Sequence, residues 1–306
     1  MSFKILFMGT PDFAVPVLKS IAESNNKVLE VYTQPPKKKN RGQKINLSPI
    51  HNFSNQINIK VRHPEIFNEK KECEYIKNLN PDVVVVVAYG KILPAKLLSL
   101  PKIKFLNVHA SLLPKWRGAA PIQRAIMNLD KETGISIMKI TEKLDTGPVM
   151  KKISIKINDE DSSGDISNKL SKLSSDNIVT SLDEIFKKNA KFTEQEHEKA
   201  TYAEKISKDE SRIDWNNTSK TILAKINSLN PNPGAWFNFK NSRFKIWKAE
   251  ISQQIGKPGE ILHKNFTIGC KDKSLKILEI QKEGKKRLFI DEFLKGTNIN
   301  TGDVIN

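Results

Sequence analysis

Five consecutive valines, Val83 to Val87, continued by Ala88 and Tyr89, constrain this chain more than any other segment. A helix at a surface confines its apolar residues to one stripe, and a half-exposed strand alternates them with polar ones. A short unbroken run of β-branched residues fits a parallel strand covered by helices on both faces. The flanking sequence agrees. Phe3 to Gly9 is an apolar strand-like run that stops at Gly9-Thr10-Pro11, and residues 12 to 21 then carry apolar side chains at helical spacing. Val28 to Thr33 predicts a second strand and so completes a β-α-β unit, the opening of a doubly wound sheet. Phe105 to His109 predicts a further strand, and helices are expected at 68–79, 94–99, 119–129 and 163–188.

From about residue 190 the texture changes to short, polar, β-prone segments. Strands are expected at 234–239, 243–251, 259–263, 266–270 and 274–280, separated by turn signals such as Asn241-Ser242 and Gly256-Lys257-Pro258-Gly259. One helix is expected at Ser219 to Leu229, ended by Asn230-Pro231. Several closely spaced short strands point to a small barrel or sandwich. With 306 residues the chain is long enough for two cores. The expected architecture is therefore α/β: a doubly wound, mostly parallel Rossmann-like sheet over 1–189, a linker over 190–207, and a smaller C-terminal β-barrel over 208–306.

Composition narrows the class. No apolar run approaches bilayer length, and the N-terminus alternates like a strand instead of resembling a signal peptide, so a cytoplasmic protein without a membrane span is expected. Cys73 and Cys270 are the only cysteines and no Cys or His pair has metal-ligand spacing, so neither a disulfide framework nor a metal site is expected. The net charge of +17 favours an anionic partner such as a nucleic acid. Lysine, however, makes up 44 of the 51 basic residues, as compositional drift alone would produce, and the excess is spread as +10 before residue 208 and +7 from there on. Its local arrangement carries the information. A monomer is expected, since no coiled-coil pattern is visible.

The densest cluster of chemistry-bearing residues is Asn107-Val108-His109-Ala110-Ser111-Leu112-Leu113-Pro114, followed by Lys115-Trp116-Arg117-Gly118-Ala119-Ala120-Pro121-Ile122-Gln123. At a strand's period of two, Asn107 and His109 share a face, and the carboxyl end of a parallel strand is where open α/β sheets bind ligands. Leu144-Asp145-Thr146-Gly147 places a carboxylate in a turn, from which it could orient His109. Each residue also has a plain structural reading: a histidine satisfied at a strand end, an asparagine and an aspartate in turns. Asp-Thr-Gly also marks aspartic proteases, but those need a second such aspartate in an all-β setting.

The whole arrangement resembles the folate-dependent formyltransferases. The matching stretches are Met8-Gly9-Thr10-Pro11-Asp12-Phe13, Thr33-Gln34-Pro35, Val86-Val87-Ala88-Tyr89-Gly90, Asn107 through Gln123, Leu144 through Gly147, Thr201-Tyr202-Ala203-Glu204-Lys205-Ile206 and Arg212-Ile213-Asp214-Trp215. They span nearly the full chain, and the last residues, from about 296, match least. The resemblance implies Asn107, His109 and Asp145 as catalytic residues and 10-formyltetrahydrofolate as formyl donor. It also implies a folate site bordered by Ser111, Leu112, Leu113 and Pro114 and by Val87, Tyr89 and Ile92. No metal is implied.

Flanking features bear on the acceptor. Pro35-Pro36-Lys37-Lys38-Lys39-Asn40-Arg41-Gly42-Gln43-Lys44 is basic and turn-rich, and Arg41 could make bidentate phosphate contacts. By resemblance to the tRNA-specific members of the family, Lys37, Lys38, Lys39, Arg41 and Lys44 would meet a nucleic acid, and methionyl initiator tRNA would be the acceptor. The basic C-terminal domain points the same way, and its Trp215, Trp236, Phe237 and Trp247 could either stack on bases or fill the core. Other members share the three catalytic residues yet formylate a purine-pathway amine or an amino sugar, or hydrolyse formylfolate. A nicotinamide dehydrogenase would share the β-α-β opening, but Gly9-Thr10-Pro11-Asp12-Phe13 lacks the Gly-x-Gly-x-x-Gly that seats a pyrophosphate. A non-catalytic RNA-binding protein would explain the charge and leave the triad without a role.

Overall fold

The computed structural model describes residues 2–39, 44–67, 69–100, 102–297 and 299–305. By internal packing the chain divides into two compact units, one of residues 1–121, 133–155 and 167–203, the other of 122–132, 156–166 and 204–306.

The first unit opens with β1 (Lys4–Gly9), α1 (Val15–Ala22) and β2 (Lys27–Tyr32), the expected β-α-β. Two short strands follow, β3 (Lys37–Lys39) and β4 (Lys44–Asn46), then α2 (Pro49–Gln56) and β5 (Val61–Arg62). Next come α3 (Glu69–Leu79), β6 (Val83–Val87), α4 (Ala95–Leu98), β7 (Lys104–His109) and the two-residue β8 (Arg117–Gly118). The chain continues through α5 (Pro121–Met127), β9 (Glu132–Lys139), β10 (Val149–Lys156), α6 (Ser163–Phe186) and β11 (Tyr202–Ala203). The main sheet has the order β10-β9-β7-β6-β1-β2-β5. Pairing is parallel from β7 through β6, β1 and β2 to β5, and β9 joins β7 antiparallel.

The valine run behaves as its chemistry requires. Every residue of β6 is buried. Val84 and Val86 join Leu6, Met8, Tyr32 and Phe105 in a core closed by Cys73 and Ile76 of α3 and Leu97 of α4. Val83, Val85 and Val87, offset by one, point to the opposite face and are fully buried as well. Each such valine is worth about 1.5 to 3 kcal/mol of apolar burial. Helices α1 and α6 are tied to each other by Ser20, whose hydroxyl donates to the Ser175 carbonyl at 2.9 Å.

The second unit carries the smaller β-domain that was expected as a barrel, and its strands form one antiparallel sheet. Helix α7 (Ser219–Ser228) precedes β12 (Ala235–Phe239), β13 (Ser242–Ser252), β14 (Ile261–His263), β15 (Thr267–Gly269), β16 (Ser274–Lys282), β17 (Leu288–Phe289) and α8 (Ile290–Lys295). The strands run in the order β12-β13-β16-β15-β14, with β17 added on β16. Trp215, Phe237 and Trp247 are buried, and Phe237 stacks on Phe244 at 5.7 Å, so these aromatics fill the core. Trp236 differs: it is half-buried under the Arg243 guanidinium, 3.9 Å from its ring.

Candidate active site

Parallel pairing sets Gly9 beside Val87 and Val86 beside Asn107, so the chain leaves β1, β6 and β7 at one end of the sheet. The loops after these three strands therefore converge, and the unusual residues of the sequence lie on them.

Asn107 and His109 occupy the last turn of pleat of β7, opposite Met138 and Ser136 of β9. Asp145 reaches them from the loop between β9 and β10. Its Oδ1 accepts a hydrogen bond from Asn107 Nδ2 at 3.3 Å and its Oδ2 accepts one from the Gly118 N–H at 2.9 Å. His109 Nδ1 lies 3.6 Å from the same Oδ2, within ion-pair reach but beyond hydrogen-bond length. What holds the imidazole is the Trp116 carbonyl, 2.9 Å from Nε2. A carbonyl only accepts, so that contact requires a proton on Nε2 and turns Nδ1 toward the carboxylate. The three residues come together, but Asp145 stands beside His109 without fixing it.

The loop that carries Asp145 has local causes. Asp145 sits in the left-handed region at φ 50°, which Asp tolerates better than most residues. A side chain at Gly147 would come within 2.0 Å of the Lys139 carbonyl, so the turn closes only with glycine there. Gln195 then bridges the loop from outside, its Nε2 donating to the carbonyls of Asp145 at 2.9 Å and of Gly147 at 2.7 Å.

The proposed folate residues divide by exposure. Val87, Tyr89, Ser111 and Leu113 are buried, so a ligand could meet only their backbone, whereas Leu112 and Pro114 are half-buried and Ile92 is 84% exposed. The 111–114 turn is pinned by Ser136, whose hydroxyl accepts from the Leu113 N–H at 3.0 Å and donates to the Ser111 carbonyl at 2.7 Å. The loop after β6 is clasped by Thr10 and Gln34. Thr10 Oγ1 donates to the Tyr89 carbonyl at 2.9 Å, and Gln34 Nε2 donates to the carbonyls of Tyr89 and Gly90 at 3.2 and 3.1 Å. Gly90 has φ 79° and no room for a Cβ, which would meet Gln34 Nε2 at 2.2 Å. Ala88, at φ 47°, bends the chain just before it. Burial holds the Tyr89 phenol far above its usual range, so it stays protonated.

Sequence reasoning assigned no role to Gln34, Ser136 or Gln195. Gln34 lay within a matching stretch, but nothing local marks Ser136 or Gln195, whose partners stand 25 and 50 residues away. Of the basic residues singled out, Lys37, Lys38 and Lys39 form β3 and Lys44 starts β4, paired antiparallel with Lys39 opposite Lys44. Arg41 lies outside the described residues. Among the described residues no group of three His, Cys, Asp or Glu side chains is placed to hold a metal ion.

Two family models match the chain, formyl transferase over residues 3–182 and the formyl transferase C-terminal domain over 205–298. The methionyl-tRNA formyltransferase of Pelagibacter ubique is 54% identical over 307 aligned positions, covering 100% of this chain and 99% of that protein. Among solved structures, the methionyl-tRNA formyltransferase from Clostridium thermocellum superposes with a TM-score of 0.59 over 81% of this chain and 93% of that one, at 18% identity. HypX from Aquifex aeolicus, in complex with tetrahydrofolic acid, superposes with a TM-score of 0.66 over 100% of this chain and 51% of that one, at 18% identity. At these identities the two structures speak for the fold alone.

Proposed function

The chain belongs to the formyl transferase family, and on that premise we infer that it transfers the formyl group of 10-formyltetrahydrofolate to the α-amine of methionyl initiator tRNA. The observation that carries the chemistry is the meeting of Asn107, His109 and Asp145 at the carboxyl end of β7. The neutral amine attacks the formyl carbon and a C–N bond forms. Negative charge collects on the formyl oxygen, and the bond to the folate nitrogen then breaks. The Asn107 amide has a second N–H beyond the one given to Asp145, and the His109 Nε2–H, once it leaves the Trp116 carbonyl, is the other donor for that oxygen. The proton lost by the attacking nitrogen passes by way of Asp145 and water to the departing folate nitrogen. Products are tetrahydrofolate and the N-formylated aminoacyl-tRNA, as translation initiation requires.

The residues present fit a folate. The loops after β6 and β7 would offer it backbone groups at Val87, Tyr89, Ser111 and Leu113, and the side chains of Ile92, Leu112 and Pro114, none of them buried, would supply apolar surface for a ring. For the acceptor, the basic stretch Lys37, Lys38, Lys39, Arg41 and Lys44 begins on the chain three residues after Gln34, which clasps the loop following β6. We read it as the element that meets the tRNA backbone. The described helices include none long and apolar enough to cross a membrane, and the proposed place of action is the cytoplasm, as a monomer.

The deciding assay offers radiolabelled formyl donor with charged initiator tRNA, free methionine, a purine-pathway amine and an amino sugar. Label is expected on the charged tRNA; label on a small amine alone overturns the choice of acceptor.

A further inference from the structure

We propose that Gln195, oriented by the buried Arg117, is a positioning residue that sets the Asp145 carboxylate for formyl transfer. This rests on the role given above to Asp145.

Asp145 adopts a left-handed backbone, which a non-glycine residue keeps where its surroundings hold it. The Thr146 hydroxyl ties the turn to the Lys143 carbonyl at 3.0 Å, and one side-chain amide spans it from outside, because Gln195 Nε2 meets the carbonyls on both sides of Thr146. An amide could present either end. Here Arg117 decides: its guanidinium donates through Nε and Nη2 to Gln195 Oε1 at 3.2 and 2.7 Å, and a guanidinium has donors only. The oxygen must face Arg117, so the NH₂ must face the Asp145 loop. Arg117 is 2% exposed and its remaining contact, Nη2 to His197 Nδ1 at 2.9 Å, is also to a neutral acceptor. Among the described residues no carboxylate meets this buried cation, a poor choice for stability alone.

The neighbour of Arg117 secures the carboxylate from the front. Gly118, next to Arg117, gives its N–H to Asp145 Oδ2, and β8 pairs in parallel with Tyr202–Ala203 of β11. A Cβ on Gly118 would meet the Ala203 carbonyl at 2.8 Å, which explains the glycine in that stretch. Arg117-Gly118 and Thr201-Tyr202-Ala203, two conspicuous motifs with no place in the chemistry, thereby acquire one: they present an amide to the carboxylate and aim the amide that holds its backbone.

The test compares wild type with Gln195→Met and Gln195→Glu. The first keeps length and loses the donor; the second also loses the donor but keeps an acceptor for Arg117 and so preserves folding. Both are expected to lower kcat about ten- to a hundredfold, the scale of a small misplacement at the reacting centre, with both KM values within about threefold. The ¹H resonance of the Gly118 amide, hydrogen-bonded to the carboxylate, should move in both variants in the direction that Asp145→Asn moves it. An unmoved Gly118 resonance, or kcat within twofold of wild type in Gln195→Glu, overturns the positioning role. A shifted resonance in a protein that formylates no acceptor supports the positioning role and overturns the functional reading instead.

Discussion

At the residue scale the site is a set of donors pointed at one carboxylate and one developing charge. Both Asp145 oxygens are taken, one by Asn107 and one by Gly118, so the carboxylate cannot rotate. Asn107 is then aimed by the carboxylate in return. Asn107→Ala removes an oxygen-facing donor and is expected to lower kcat about 10²- to 10³-fold while leaving the KM for charged tRNA within about twofold, measured by steady-state kinetics. The meeting of the three proposed catalytic residues was legible in sequence because period-two spacing put Asn107 and His109 on one face, and the Leu144–Gly147 turn offered Asp145 as a carboxylate within reach. The partner of the imidazole was not: the contact from His109 is to a backbone carbonyl, which any residue at 116 would offer, so side-chain identity carries no trace of it.

At the scale of elements, the strands that were legible are those whose composition is uniform. β6 is all valine and was read at once. β9 escaped, although six of its eight residues are buried, because Thr133, Gly134 and Ser136 break the apolar pattern in Glu132–Lys139. Those small residues are there for contact. Gly134 leaves no space for a Cβ, which would fall 2.1 Å from the Ile153 carbonyl and 2.5 Å from Leu112 Cδ2, and Ser136 pins the 111–114 turn. A strand that serves a site by close approach thus loses the hydrophobic signature by which strands are found. Helix α7 shows the converse: it begins at Ser219 as expected, capped by Thr218, whose hydroxyl accepts from the Thr221 N–H, but its second support comes from far away. Asp272 accepts the Ser219 N–H at 2.7 Å, and that bond, with one from Lys273, holds the Asp272 carboxyl below the usual carboxylate range. A depressed pKa adds stability that is complete above the unfolded carboxylate value and is lost as pH falls through the folded one. Asp272→Asn should therefore lower the thermal midpoint by an amount equivalent to about 0.3 to 1 kcal/mol at neutral pH, with the difference constant above pH ~5 and shrinking below it. Calorimetry of both proteins across pH 3 to 8 measures this; a difference that persists unchanged to pH 3 would contradict the charge-based account.

For the whole molecule the relevant quantity is the excess of 17 positive charges, carried by both halves of the sequence. A nucleic-acid acceptor and a small folate should feel it very differently, since phosphate neutralisation releases counterions. The KM for charged tRNA is expected to rise more than about tenfold between about 50 and 200 mM salt, and that for the formyl donor less than about threefold. Equal salt dependence for the two substrates would remove the argument from charge. The two-domain plan was readable from the change in texture near residue 190. The assignment of 122–132 and 156–166 to the second unit was not, because a chain that leaves a core and returns to it shows no compositional break. One clasp reaches further than the loop it holds. Gln34 grips the loop after β6 and is followed by Pro35 and Pro36, whose rings fix their own φ and leave no N–H to bend toward other partners. The heading of the lysine strand that begins one residue later is thus inherited from the grip of Gln34. If the lysine strand meets the acceptor and the loop after β6 the donor, as proposed, a change at residue 34 would be felt by the large substrate as well as the small one, and selection for the two would have to agree there.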